Sequence, residues 1–69
     1  MTLDEMIKEA EREVALRKKC YPQWVEQGKI KQLDANYRIE VMEYIADTLR
    51  DVKEFQIKIA TKFDKDLLK

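Results

Sequence analysis

The chain has 69 residues, and 41% of them are charged, yet 14 basic and 14 acidic side chains give a formal net charge of zero. A zero net charge argues against binding to nucleic acid or membranes driven by overall charge alone. Histidine is absent and cysteine occurs once, which excludes zinc sites built from Cys and His, and triads that need a histidine base. We therefore expect a non-enzymatic protein with no cofactor and no metal site.

Glycine and proline also occur once each, and a charged sequence with so few helix breakers is typical of long solvated helices. No apolar run approaches the roughly 20 residues of a membrane helix. The acidic residues near the N-terminus do not fit a signal peptide. The sequence therefore predicts an all-α protein without a membrane segment, in a reducing cytoplasm.

The first predicted helix covers about residues 3–20. Thr2 and Glu5 fit a capping box at its start. Apolar residues then recur every three or four positions, which indicates an amphipathic helix with one buried stripe. The stripe consists of Leu3, Ile7, Ala10, Val14 and Tyr21.

Arg17 lies in the middle of this stripe, where an apolar residue is expected. An unpaired buried charge is strongly unfavourable, so Arg17 needs a carboxylate partner. We expect Glu40 or Glu43 of the second helix to accept its guanidinium. The alternative is that the side chain extends past Tyr21 into water.

A corner is predicted over residues 21–30. Pro22 should end the first helix, because the residue before a proline disfavours helical geometry. The same proline suits the first position of a short helical turn, which Gly28 would close in a left-handed conformation. The structural residues of this corner are Tyr21, Pro22, Trp24 and Gly28.

The second predicted helix covers about residues 31–66 and follows a seven-residue repeat, which is typical of a coiled-coil-like seam. An alternating strand pattern also fits residues 55–59, but an isolated strand would have no partner. The corner makes the two helices antiparallel and places Ile7 opposite Leu49. The seam consists of Met42, Ile45, Leu49, Val52, Ile59 and Phe63, with Gln56 as an interruption.

The second helix is longer than the first, so its last 15 or so residues should project as an apolar overhang. Exposed apolar area costs about 25 cal/mol per Å². We therefore expect self-association, with a dimer favoured, or binding to another protein. The predicted interface residues are Tyr37, Val41, Tyr44, Phe55, Ile59, Phe63 and Leu67.

A basic cluster supports an alternative function, because cations next to aromatic side chains can grip phosphates and stack bases. Glutamates interleaved with these cations oppose that interpretation by cancelling their field. The alternative is therefore a nucleic-acid or nucleotide-binding module. Its predicted phosphate-binding residues are Arg12, Arg17, Lys18 and Lys19, beside Tyr21 and Trp24.

The segment from Glu11 to Leu49 resembles a group of small uncharacterised helical proteins encoded by bacteriophages and prophages. It covers somewhat over half of the chain, and Cys20 stands where an aliphatic residue is expected. The resemblance implies an accessory protein in a bacterial host cytoplasm that binds a host or phage protein, and it assigns no functional residues. The shared frame is Leu16-Arg17, Tyr21-Pro22 with Trp24-Val25, Gly28, Ala35, Ile39, Val41-Met42-Glu43 and Ile45.

Overall fold

The structure is a computed structural model that describes the backbone of residues 1–67 and the side chains of residues 1–58. These residues form two helices, α1 (Leu3–Glu26) and α2 (Gln32–Leu67), joined by residues 27–31. The helices run antiparallel and pack along the length of α1. The predicted all-α helical hairpin is confirmed, and the segment that also fitted a strand is helical.

The start of α1 is the predicted one. The Thr2 hydroxyl accepts a hydrogen bond from the backbone N–H of Glu5 at 3.1 Å, which satisfies one of the N–H groups that a helix start leaves unpaired. Asp4 and Glu5 place negative charge at the positive end of the helix dipole.

The predicted end of the first helix at residue 20 is wrong, because α1 continues through Pro22 to Glu26. A proline inside a helix removes one backbone hydrogen bond but keeps a φ angle that a helix accepts. Tyr21 is buried and Val25 half-buried, so packing holds the chain helical on both sides of Pro22. Tertiary contacts therefore override the local preference of the residue before proline.

Gly28 ends α1 in a left-handed conformation, with φ of 74°. The Lys29 N–H donates to the Trp24 carbonyl at 2.8 Å, and the Gly28 N–H donates to the Val25 carbonyl at 3.0 Å. This pair of bonds is the Schellman arrangement. Gly28 is the predicted left-handed cap, but it caps the whole of α1 rather than a separate short turn.

Because α1 ends later than predicted, different residues of the two helices lie opposite each other. Ile7 shares a groove with Lys53 and Ile57, whereas Leu49 shares a groove with Ala10. The predicted pairing of Ile7 with Leu49 is therefore displaced by about one helical turn. The cause is the extension of α1 to Glu26, which moves the centre of the connection towards the C-terminus.

Small side chains form most of the core. Among the described residues, Ala10, Tyr21, Ala35 and Ala46 are buried. The predicted seam is partly wrong, because Ile45 and Val52 remain 44% and 41% exposed. The inward face of α2 follows a neighbouring heptad register, made up of Ala35, Ile39, Met42, Ala46, Leu49 and Lys53.

The hairpin is a rod of 63 × 19 × 14 Å. Thr2 and Leu3, at the start of α1, lie against Gln56 and Ile57. From Ile57 the backbone of α2 extends to Leu67, about 15 Å further at 1.5 Å per residue. Over the described residues, neither helix combines the length and hydrophobicity needed to cross a bilayer.

Candidate protein-binding surface

An open groove runs between the helices on one side of the hairpin. Its volume is about 360 Å³. The methyl group of Ala10 lies at its floor, and Glu9 and Glu13 line its α1 side. Its larger apolar residues are Met1, Met6, Met42, Ile45 and Leu49.

A second hollow, of about 340 Å³, lies beside this groove on α2. Ile45 and Leu49 belong to both, so the two depressions are continuous. The remaining residues of the second hollow are Val41, Tyr44 and Thr48, which follow each other at helical spacing. We call the combined surface the apolar face. It consists of Met6, Val41, Met42, Tyr44, Ile45, Thr48 and Leu49.

The predicted interface residues extend this face along α2. Tyr37, Tyr44 and Phe55 are between 63% and 68% exposed, and Val41 is half-buried. The steps from one to the next keep them on the side of α2 that carries Thr48. The side chains of the other three predicted residues, Ile59, Phe63 and Leu67, lie outside the described residues.

The sequence prediction missed the contribution of the groove to this surface. It assigned Met42, Ile45 and Leu49 to the seam of the second helix and named Met6 in no binding surface. The available signal was the breadth of the apolar pattern on α2, where two adjacent heptad registers are both apolar. One neighbouring helix cannot cover both registers.

The opposite side of the hairpin is charged. Among the residues whose side chains the structure describes, three ion pairs bridge the helices there, between Asp4 and Lys53, Glu11 and Arg50, and Lys18 and Glu43. The α1 members are seven residues apart, so they lie on one line along the helix. The Arg50 guanidinium donates to Glu11 at 2.7 Å and to Asp47, and these hydrogen bonds raise the pKa of Arg50.

Arg17 does not bind the expected carboxylates of α2. Its Nε donates to Glu13 of its own helix at 2.9 Å, and its Nη1 donates to the Arg38 carbonyl oxygen at 2.9 Å. Glu13 lies one turn before Arg17 and is therefore the nearest carboxylate. Glu43 instead pairs with Lys18, at 3.7 Å. The expected pairing of Arg17 with Glu40 or Glu43 is thus wrong.

The predicted phosphate-binding cluster is largely engaged in ion pairs. Arg12 binds Glu9, and the hydrogen bond from Arg12 lowers the pKa of Glu9. Arg17 and Lys18 bind carboxylates as described above, and Lys19 is exposed on the same helix. Paired cations present less positive potential to a phosphate than the sequence prediction assumed.

The predicted corner aromatics take different positions. Tyr21 is buried, whereas Trp24 is 42% exposed, with the two ring centroids 5.3 Å apart. A small notch of about 140 Å³ lies beside them, with Leu16 and Cys20 in its wall. The two rings therefore close the turn end of the hairpin, with Trp24 partly exposed to solvent.

Within the described residues, no group of three or more carboxylate, thiol or imidazole side chains is arranged to hold a metal ion.

Comparisons with protein-family models, with curated proteins and with solved structures found no match to this chain. The resemblance to small phage proteins therefore stays a prediction.

Proposed function

We propose that this protein is a non-enzymatic interaction protein, of the small phage accessory type, that binds a host or phage protein through its apolar face. The observation that carries the proposal is the continuous, solvent-open apolar surface formed by both helices around Ile45 and Leu49. Large contiguous apolar patches are rare on soluble monomeric proteins, and they mark interaction sites.

The surface area of the chain supports the same proposal. The chain exposes 5970 Å², whereas a compact globular protein of 8.3 kDa exposes about 4,600 Å². A two-helix hairpin cannot enclose its larger side chains, and no large side chain is fully buried among the described residues. Association with another protein supplies the missing cover.

Tyrosines at the edge of the face add to this interpretation. Tyr44 is 64% exposed and Tyr37 is 68% exposed. Tyrosine is enriched at protein interfaces because it combines a large apolar area with a hydroxyl group that can bond at a wet rim. The pattern of exposed side chains on α2 is therefore that of an interface.

The alternative, a nucleic-acid or nucleotide-binding module, has no comparable support. Arg12, Arg17 and Lys18 each bind a carboxylate. No lysine or arginine is among the described residues that line the apolar face, whereas nucleic-acid interfaces are rich in them.

The proposal predicts that immobilised protein captures a specific host protein from bacterial lysate and that Tyr44→Glu abolishes the capture. A buried carboxylate in an apolar contact weakens binding by at least tenfold, because the charge loses its hydration. Mass spectrometry of the retained proteins, with wild type and variant compared side by side, measures the effect.

Lys19→Glu is the matched control for that experiment, since it also introduces a carboxylate at an exposed helical position but lies outside the apolar face. It should leave the capture unchanged. Loss of capture with Lys19→Glu and retention with Tyr44→Glu would point to the basic side of α1 and contradict the proposal.

A further inference from the structure

We infer that, in the absence of a host or phage partner, a second copy of this chain occupies the apolar face, related to the first by a two-fold axis, so that α2 of each copy packs against both helices of the other. The inference rests on the proposed function and names what covers the same surface before the host or phage protein binds. Three features of the described residues carry it: the breadth of the apolar arc on α2, the size of the uncovered area, and the distribution of charge.

The apolar arc on α2 is too broad for one neighbouring helix. Successive helical residues lie about 100° apart around the axis, so the mainly apolar arc from Tyr44 round to Ile39 covers about 220° of the circumference. A single packed neighbour uses an apolar stripe of about 100°. The sector around Ala46 is used by α1. The part of the arc around Thr48 is not covered by α1 and is available for packing against further helices.

The groove between α1 and α2 can hold one of these further helices. Met6 belongs to α1, while Met42 and Leu49 belong to α2, so a helix lying in the groove contacts both. In a two-fold dimer each α2 places its Tyr44 side in the groove of the other copy. Every helix then has at least two neighbours, which is the arrangement of a four-helix bundle.

The uncovered area matches what such a dimer requires. The chain exposes 5970 Å², which exceeds the value for a compact protein of its mass by about 1,400 Å². A standard stable interface buries about 800 Å² on each partner. The excess over the whole chain is therefore larger than the area that one such interface covers on each copy.

The charge distribution favours an identical partner. The net charge is zero, so two copies approach without overall repulsion. The three bridges between the helices, such as Glu11 with Arg50, lie on the opposite side. The apolar face has Glu9 and Glu13 at one margin, and each binds an arginine of its own helix. The α1 margin of the face therefore presents paired rather than free carboxylates.

Sedimentation equilibrium of the purified chain tests the inference. Wild type should show twice the chain mass of 8.3 kDa, and Ile45→Glu should show the single-chain mass up to about 1 mM. The matched control is Ile57→Glu, which makes the same change at a 55% exposed isoleucine in the groove on the charged side. It should keep the dimer mass. Circular dichroism confirms that each variant is helical.

If Ile45→Glu fails to fold, two further measurements decide the question. Tyr44→Glu introduces the charge at a more exposed site of the same face and should also give the single-chain mass. The thermal midpoint of wild type should rise with chain concentration, because dissociation accompanies unfolding of a dimer.

A wild-type chain that remains single up to about 1 mM, with a concentration-independent midpoint, would overturn the inference. So would a mass of three or more chains, or a dimer that survives both Ile45→Glu and Tyr44→Glu. These results leave the proposed function standing if the capture of a host protein still depends on Tyr44, since the face would then serve a different partner.

Discussion

Arg17 joins the two helices without a carboxylate on the second helix. Its side chain is 25% exposed and bonds to Glu13 and to the backbone of Arg38. The pair lies at the margin between core and solvent, where desolvation is moderate and the ion pair contributes little net free energy. The carbonyl bond adds a geometric constraint, because it fixes one position along α2 relative to α1.

We predict that Arg17→Met changes the free energy of unfolding by less than about 1 kcal/mol, because the added apolar contact offsets the lost hydrogen bonds. Urea denaturation measures this change. Arg12→Met is the control, as it removes an exposed pair within one helix and should change stability by less than about 0.5 kcal/mol. A loss above about 2 kcal/mol for Arg17→Met alone would mean that this contact is essential for the fold.

The sequence identified Arg17 as anomalous and in need of a partner, but not which partner. Spacing along one helix limits which side chains meet, and Glu13 at four residues was always within reach. The choice between Glu13 and a carboxylate of α2 depends on the rotation of the two helices about their axes. That rotation is set by packing of the whole interface and cannot be derived from one position.

At the scale of the helices, Pro22 separates local preference from the observed structure. The rule that helices end before proline describes an isolated segment. Here Tyr21 and Val25 pack towards α2 on either side of the proline, and their contacts outweigh the lost backbone bond. The start of α1 at Thr2 and its left-handed end at Gly28 were predictable, since both depend on the chemistry of a single residue.

We predict that Pro22→Ala raises the free energy of unfolding by about 2 kcal/mol. An interior proline disfavours a helix by about 3 kcal/mol relative to alanine. The unfolded chain with alanine has more conformational freedom, which reduces this gain in stability by up to about 1 kcal/mol. Pro22 is exposed, so little packing is lost. Thermal or urea unfolding gives the value, with Gln23→Ala as the neighbouring control. A destabilised Pro22→Ala variant would show that the ring itself contributes to the turn.

The register of α2 illustrates what the pattern of a single chain leaves open. Two adjacent heptad registers are both apolar, and the sequence prediction chose the one containing Ile45 and Val52. The structure places the other one, with Ala46 at its centre, against α1. Small residues allow closer approach of the helix axes, but a periodicity count gives a buried alanine less weight than a large aliphatic residue.

For the whole molecule, two sides with different chemistry follow from this choice of register. One side carries three ion pairs between the helices, including Lys18 with Glu43, and the other carries the apolar face. The hairpin itself was predictable from length, breakers and periodicity. The division into two sides was not, because it requires the relative rotation of α1 and α2.

We predict that raising NaCl from about 50 mM to about 500 mM leaves the dimer dissociation constant unchanged or lowers it, because an apolar interface is not screened by salt. Binding through phosphate contacts would instead weaken steeply over this range. Sedimentation at the two salt concentrations measures the constant. A weakening of tenfold or more would place ion pairs within the interface and contradict the arrangement inferred above.

The alanines at the centre of the hairpin have a consequence for how this protein tolerates change. Ala10, Ala35 and Ala46 are 4%, 1% and 2% exposed, so a larger side chain at any of them would have to displace its packed neighbours. Substitution of one of these alanines by leucine would push the two helices apart. It would lower the free energy of unfolding by about 1–3 kcal/mol at each site. Related sequences should therefore vary less at these small residues than at the bulky residues outside the apolar face, the reverse of the usual pattern in globular cores.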